Sequence, residues 1–134
     1  MNQIILASHN KLAAGMNETI KFFTGNQVEV LEQTMQDNNF ENQVSEMLKK
    51  HEDKNCVVFT DLYGGSVNQI FSRKLKEHSF HLVTGMNLPV ILECMFAQED
   101  IDETFIRQAV NSAKEQFCYM NDVLQALTED DEED

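Results

Sequence analysis

The chain has 134 residues, 42 % of them apolar, enough for one domain that buries about two-thirds of the surface its unfolded chain exposes. Its formal net charge is −13, and removing the six negatives of the run Glu129-Asp130-Asp131-Glu132-Glu133-Asp134 leaves −7 on the rest. An acidic body without a basic stripe repels phosphate backbones, which argues against nucleic acid as a partner and for a protein with a basic docking face.

Gln3-Ile4-Ile5-Leu6-Ala7 is a short apolar run that reads as a first strand buried on both faces. From Lys11 the spacing changes to three and four through Leu12, Met16, Ile20 and Phe23, the pattern of a helix, with Asn10 as its expected N-cap and Gly25 as its stop. Val28 to Leu31 gives a weaker strand, and Phe40, Val44, Met47 and Leu48 mark a second helix running toward His51. Cys56-Val57-Val58-Phe59-Thr60, β-branched and aromatic, is the strongest strand signal, broken by Asp61 to Gly65. Ser66 with Gln69 three residues later is a capping-box pattern ahead of Ile70, Phe71 and Leu75, so a third helix starts at the glycine turn.

Phe80 to Val83 forms a fourth strand, and Leu88-Pro89 opens a helix carrying Val90, Ile91, Leu92 and Met95. A longer amphipathic helix follows Asp100, with Ile101, Phe105, Ala109 and Val110 on its inner side. Cys118-Tyr119-Met120 reads as a short closing strand, and residues 128–134 as a disordered acidic tail beyond a domain of residues 1–127. No apolar stretch reaches the roughly 20 residues of a membrane span, and Met1-Asn2-Gln3 lacks the basic region of a signal peptide. A cytoplasmic protein without direct membrane insertion is expected. Cys56, Cys94 and Cys118 form no C-x-x-C pair and read as buried free thiols, and most Met and Phe residues as core, with Tyr63 and Met86 at turns where a partner could meet them.

Strands alternating with helices predict an α/β fold, an open doubly wound, mainly parallel sheet with helices on both faces. A strand order beginning 2-1-3-4 places the first and third strands side by side and opens a crevice at their carboxyl ends, where His9 and Asp61 would meet. A histidine accepts a phosphoryl group only through an unprotonated, accessible ring nitrogen. A carboxylate holding Nδ1–H leaves Nε2 as the free lone pair and stabilises positive charge developing on the ring. Asp61 is expected in that orienting role. The arriving phosphoryl group needs its own donors, and Gly64, Gly65 and Ser66, at a helix start with close backbone approach, could supply an anion nest; the Ser66 hydroxyl could instead cap the helix. His51, His78 and His81 have no carboxylate or glycine turn beside them and read as surface or packing residues. No aspartate cluster of magnesium-site kind accompanies His9, so neither metal nor cofactor is expected. A hydrolase built on Ser66, His9 and Asp61 lacks the G-x-S-x-G elbow.

Three segments, Ile4 to Ala13 with Gly15-Met16, Thr60 to Ser66, and Gly85-Met86-Asn87-Leu88-Pro89, resemble the EIIA domain of the mannose class of bacterial phosphotransferase systems, in the right order over about residues 1–127. The resemblance implies a phosphocarrier that takes a phosphoryl group on the Nε2 of His9 from the phosphocarrier protein HPr and passes it to the EIIB component for sugar uptake. It carries over Asp61 as the orienting partner and Gly64, Gly65 and Ser66 as the phosphate pocket, and implies a homodimer exchanging a C-terminal edge strand. The chain departs from the family pattern at Asn10, where a Gly commonly follows the His, and at Val67 and Gln69, which replace the usual Pro and Asn. The phosphotransferase subunit of a dihydroxyacetone kinase, whose chains commonly carry further HPr-like domains, and a regulatory module sensed in its phosphorylated state are the alternative readings.

Overall fold

A computed structural model describes residues 1–35 and 39–133. Its elements are β1 (Asn2–His9), α1 (Leu12–Thr24), β2 (Glu29–Gln33), α2 (Phe40–Lys50), β3 (Asn55–Thr60), α3 (Ser66–Lys74), β4 (His81–Thr84), α4 (Leu88–Met95), α5 (Glu103–Lys114) and α6 (Met120–Glu133). The four strands form one sheet in the order β2-β1-β3-β4, and every pair is parallel, as the alternation of strands and helices predicts.

The period of two in β1 divides its side chains between two cores. Ile4 and Leu6 join Val57 and Phe59 under α1, α4 and α5, whose Ala13, Ile20, Val90, Ile91, Cys94 and Ala109 complete that layer. Ile5 and Ala7 join Leu31, Cys56 and Val58 beneath α2 and α3, with Phe40, Val44, Leu48, Val67 and Phe71. The central strands β1 and β3 are therefore apolar on both faces, and their carboxyl ends emerge together at the top of the sheet.

Several local expectations change. Asn10 does not cap α1: it takes a left-handed conformation with φ 52°, and Lys11 holds the cap position. The cap is supplied from within β1, where the buried Ser8 Oγ accepts the Ala13 N–H at 2.8 Å. The chain must reverse tightly between His9 and the helix, and Asn tolerates the left-handed backbone there better than most residues other than glycine. Leu12 and Phe23 lie exposed, because the buried side of α1 runs through Ala13 and Ile20 with Met16 packed beside them. Among the aromatics expected in the core, Phe22, Phe96 and Phe117 are also exposed, whereas Met86 packs against the core and Tyr63 points outward. Cys56 and Cys94 are buried free thiols, but Cys118 is exposed.

The largest difference is C-terminal. Residues Cys118-Tyr119-Met120 form no strand; α6 begins at Met120 and continues as helix through Glu133, into the acidic run expected to be a disordered tail. Met120, Val123, Leu124 and Leu127 recur at three and four, a helical period that outweighs the strand preference of Cys118-Tyr119-Met120. Among the described residues no helix is long and apolar enough to cross a membrane.

Candidate functional site

The site is assembled where β1 and β3 end. Register pairs Ala7 with Thr60, so His9, two residues beyond Ala7, and Asp61, one beyond Thr60, leave the sheet near one another although 52 positions separate them. One oxygen of Asp61 serves His9 twice: Oδ2 accepts the backbone N–H at 2.8 Å and lies 2.9 Å from Nδ1. With the Asp61 side chain only 9 % exposed and that of His9 42 % exposed, the carboxylate is a sheltered anchor and the imidazole reaches toward solvent. A carboxylate can only accept, so Nδ1 carries the proton of the neutral ring and Nε2 holds the lone pair. The second Asp61 oxygen, Oδ1, is buried and has no hydrogen-bond partner among the described residues.

Thr60 holds the floor of the crevice. Fully buried, its hydroxyl lies 3.1 Å from Asn68 Oδ1 and 2.9 Å from Thr84 Oγ1, and its carbonyl accepts the Met86 N–H at 3.0 Å, which links the end of β3 to α3 and to the turn after β4.

Gly64 has φ 77°, a backbone that favours glycine, and Gly65 stands at the N-cap of α3. A Cβ on Gly65 would lie 3.1 Å from His9 Cε1 and 3.2 Å from the Leu62 carbonyl oxygen, so the missing side chain makes room for the imidazole. The Gly65 N–H is not available to an anion, because it donates to the Leu62 carbonyl at 3.0 Å. The expected run of three free amides is thus interrupted. The N–H groups of the first turn of α3, beginning with Ser66, have no carbonyl behind them in the helix and carry its positive end.

Ser66 is the first residue of α3 and makes no capping bond. Its Oγ lies 3.0 Å from His9 Nε2 and 2.7 Å from Gln33 Oε1, and Gln69 does not form the other half of the predicted box, since its Nε2 donates to the Gly64 carbonyl at 2.7 Å. Gln33 had no sequence signal, since its place beside Ser66 follows from the pairing of its residue with His9 across β1 and β2. An open cleft lined by His9, Asn10, Gln33, Thr34, Met35 and Ser66 lies on the Nε2 side.

The remaining histidines stand apart. His51 is buried after α2 with Nε2 3.5 Å from Glu29 Oε1, and His81 Nε2 lies 3.1 Å from the Ile101 carbonyl oxygen, both at the amino ends of the strands. Among the described residues no group of three or more His, Cys, Asp or Glu is placed to hold a metal ion.

An imidazole anchored through Nδ1, with Nε2 beside an open cleft and a helix start, has the geometry with which a ring nitrogen can attack an anionic group. The model of the EIIA-man family, described as the PTS system fructose IIA component, matches residues 3–114. The chain belongs to the EIIA-man family. Solved structures agree with that membership. A candidate phosphoenolpyruvate-dependent sugar phosphotransferase system (PTS) permease from Klebsiella pneumoniae is 30 % identical, with 92 % of this chain and 93 % of that one covered and a TM-score of 0.79. The PTS IIA protein associated with the fucose utilization operon of Streptococcus pneumoniae is 27 % identical, covering 92 % and 96 % at a TM-score of 0.80. The mannose/sorbose-specific IIA subunit from Enterococcus faecalis, 16 % identical over 88 % and 93 % at a TM-score of 0.80, shares the fold. Comparison with curated proteins gave no match. This EIIA-man chain is accordingly a IIA-type component of a sugar phosphotransferase system.

Proposed function

We propose that the chain is a phosphohistidine carrier, taking a phosphoryl group from HPr on Nε2 of His9 and passing it to an EIIB component in the cytoplasm. The observation that carries this reading is the double grip of Asp61 Oδ2 on the backbone and the Nδ1 of His9, which leaves Nε2 turned toward the cleft. In the transfer, the Nε2 lone pair forms the bond to phosphorus while the P–N bond of the donor's phosphohistidine breaks, its electron pair staying on the donor ring. No proton has to leave Nε2. The Nδ1 proton stays on the ring and is donated to Asp61 Oδ2, whose charge stabilises the positive ring as it forms. Ser66 and the first-turn amides of α3 would hold the phosphoryl oxygens against the negative charge of Asp61.

The reading is tested by incubation with labelled phosphoenolpyruvate, enzyme I and HPr. The chain should acquire acid-labile phosphate, and His9→Ala should remove it; label that persists in His9→Ala would move the acceptor elsewhere. We further propose that the carrier is a homodimer. The exposed Met120, Val123, Leu124 and Leu127 on one side of α6 support this reading, since such a stripe is ordinarily covered.

A further inference from the structure

Building on the phosphocarrier reading, we infer that Gln33 is a positioning residue that acts through the Ser66 hydroxyl to set the hydrogen bonding of His9 Nε2. Ser66 Oγ stands between two neighbours, His9 Nε2 at 3.0 Å and Gln33 Oε1 at 2.7 Å, and it has one proton to give. In the structure the amide presents its carbonyl and the serine proton goes to Gln33 Oε1, so a hydrogen bond to Nε2 requires a proton on Nε2 itself. With Nδ1–H already on Asp61, that ring is an imidazolium and has no lone pair for phosphorus. If the amide is turned over, its NH2 donates to Ser66 Oγ, the serine proton points at Nε2, and the ring is neutral and competent.

The two orientations of one side-chain amide therefore correspond to a blocked and a ready histidine. Gln33 is held in place for this by its main chain, whose carbonyl accepts the Asn10 N–H at 2.8 Å and fixes the left-handed turn immediately after His9. When the Nε2–P bond forms, the Ser66 proton stays on Oγ and redirects from the nitrogen to a phosphoryl oxygen. The turned amide keeps Ser66 oriented for that contact.

The test combines a spectroscopic and a kinetic readout on the full chain. With 15N-labelled histidine at about pH 8, above the ordinary histidine range, Gln33→Ala and the near-isosteric Gln33→Met should shift the Nε2 resonance toward that of a nitrogen without a hydrogen-bond donor. Both should slow phosphorylation by HPr about 3- to 10-fold, the effect of one neutral hydrogen bond. In a Ser66→Ala background the same substitutions should change neither quantity, because the relay has already been cut. An Nε2 resonance unmoved by either variant, or rate losses that multiply in the Ser66→Ala background, would overturn the role assigned to Gln33. Loss of the carrier reading itself would show separately, as phosphate retained by His9→Ala, while the resonance still reported the coupling of Gln33, Ser66 and His9.

Discussion

At the scale of single residues, the site depends on an anchor and a gap. Asp61 is the anchor, and its replacement by Asn keeps the shape while allowing the amide to present an N–H toward Nδ1. That favours the tautomer with its proton on Nε2. Phosphorylation by HPr should fall by about 10²- to 10⁴-fold in Asp61→Asn, the range seen when a carboxylate that fixes a catalytic imidazole becomes an amide. Gly65 is the gap. Its φ of −70° suits any residue, but the methyl of Gly65→Ala would meet His9 Cε1 at 3.1 Å and the Leu62 carbonyl oxygen at 3.2 Å. The imidazole should tilt and the turn at Leu62 should shift slightly, and labelling should drop about 10- to 100-fold, since small misplacements of a reacting atom weigh heavily on rate. Ser8 matters to the fold instead. Ser8→Ala leaves the buried Ala13 N–H without an acceptor and should lower the unfolding free energy by about 1–3 kcal/mol, measured by chemical denaturation.

At the scale of elements, the sequence made the strands plain where both faces are buried. The continuous apolar runs of β1 and β3 mark the two strand ends, and with them the meeting of His9 and Asp61. The cap of α1 was hidden because its acceptor lies upstream of the turn, in Ser8 at the end of a strand, and local cap patterns look for it at the residue before the helix. Gln33 was hidden for a different reason: its neighbour is chosen by parallel pairing between β1 and β2, which no nearby residue encodes. The signal for α6 lies in the spacing of Met120, Val123, Leu124 and Leu127, which becomes visible only beyond the strand-like Cys118-Tyr119-Met120. That exposed stripe gives the homodimer proposal its test. Leu124→Glu should convert a dimer to a monomer in light scattering and leave the far-ultraviolet spectrum of the domain unchanged; a chain monomeric without the substitution would remove the proposal.

At the scale of the whole molecule, burial links stability to alkali. The Cys94 thiol, pushed up by burial and then by the nearby Glu93 charge, moves from the ordinary value of 9.0 to about 12, and burial raises Cys56 as well. Below pH 9 both folded and unfolded chains hold these protons; above it the unfolded chain releases them and the folded chain does not. Stability should therefore fall as pH rises from about 9 toward 12, and the fall should be shallower in Cys94→Ala, followed by denaturation midpoints across that range. Exposed Cys118 should be the one thiol that reacts rapidly with a disulfide reagent in the native chain, all three reacting after unfolding. The grip of Asp61 Oδ2 on both the main chain and the ring of His9 reaches furthest, because it ties the imidazole to the register of the central strands. A nitrogen with so little freedom cannot swing from one visitor to the next. In the proposed relay, giver and receiver must approach the same point from the same side, so they take turns, and an excess of either should compete with the other for the carrier.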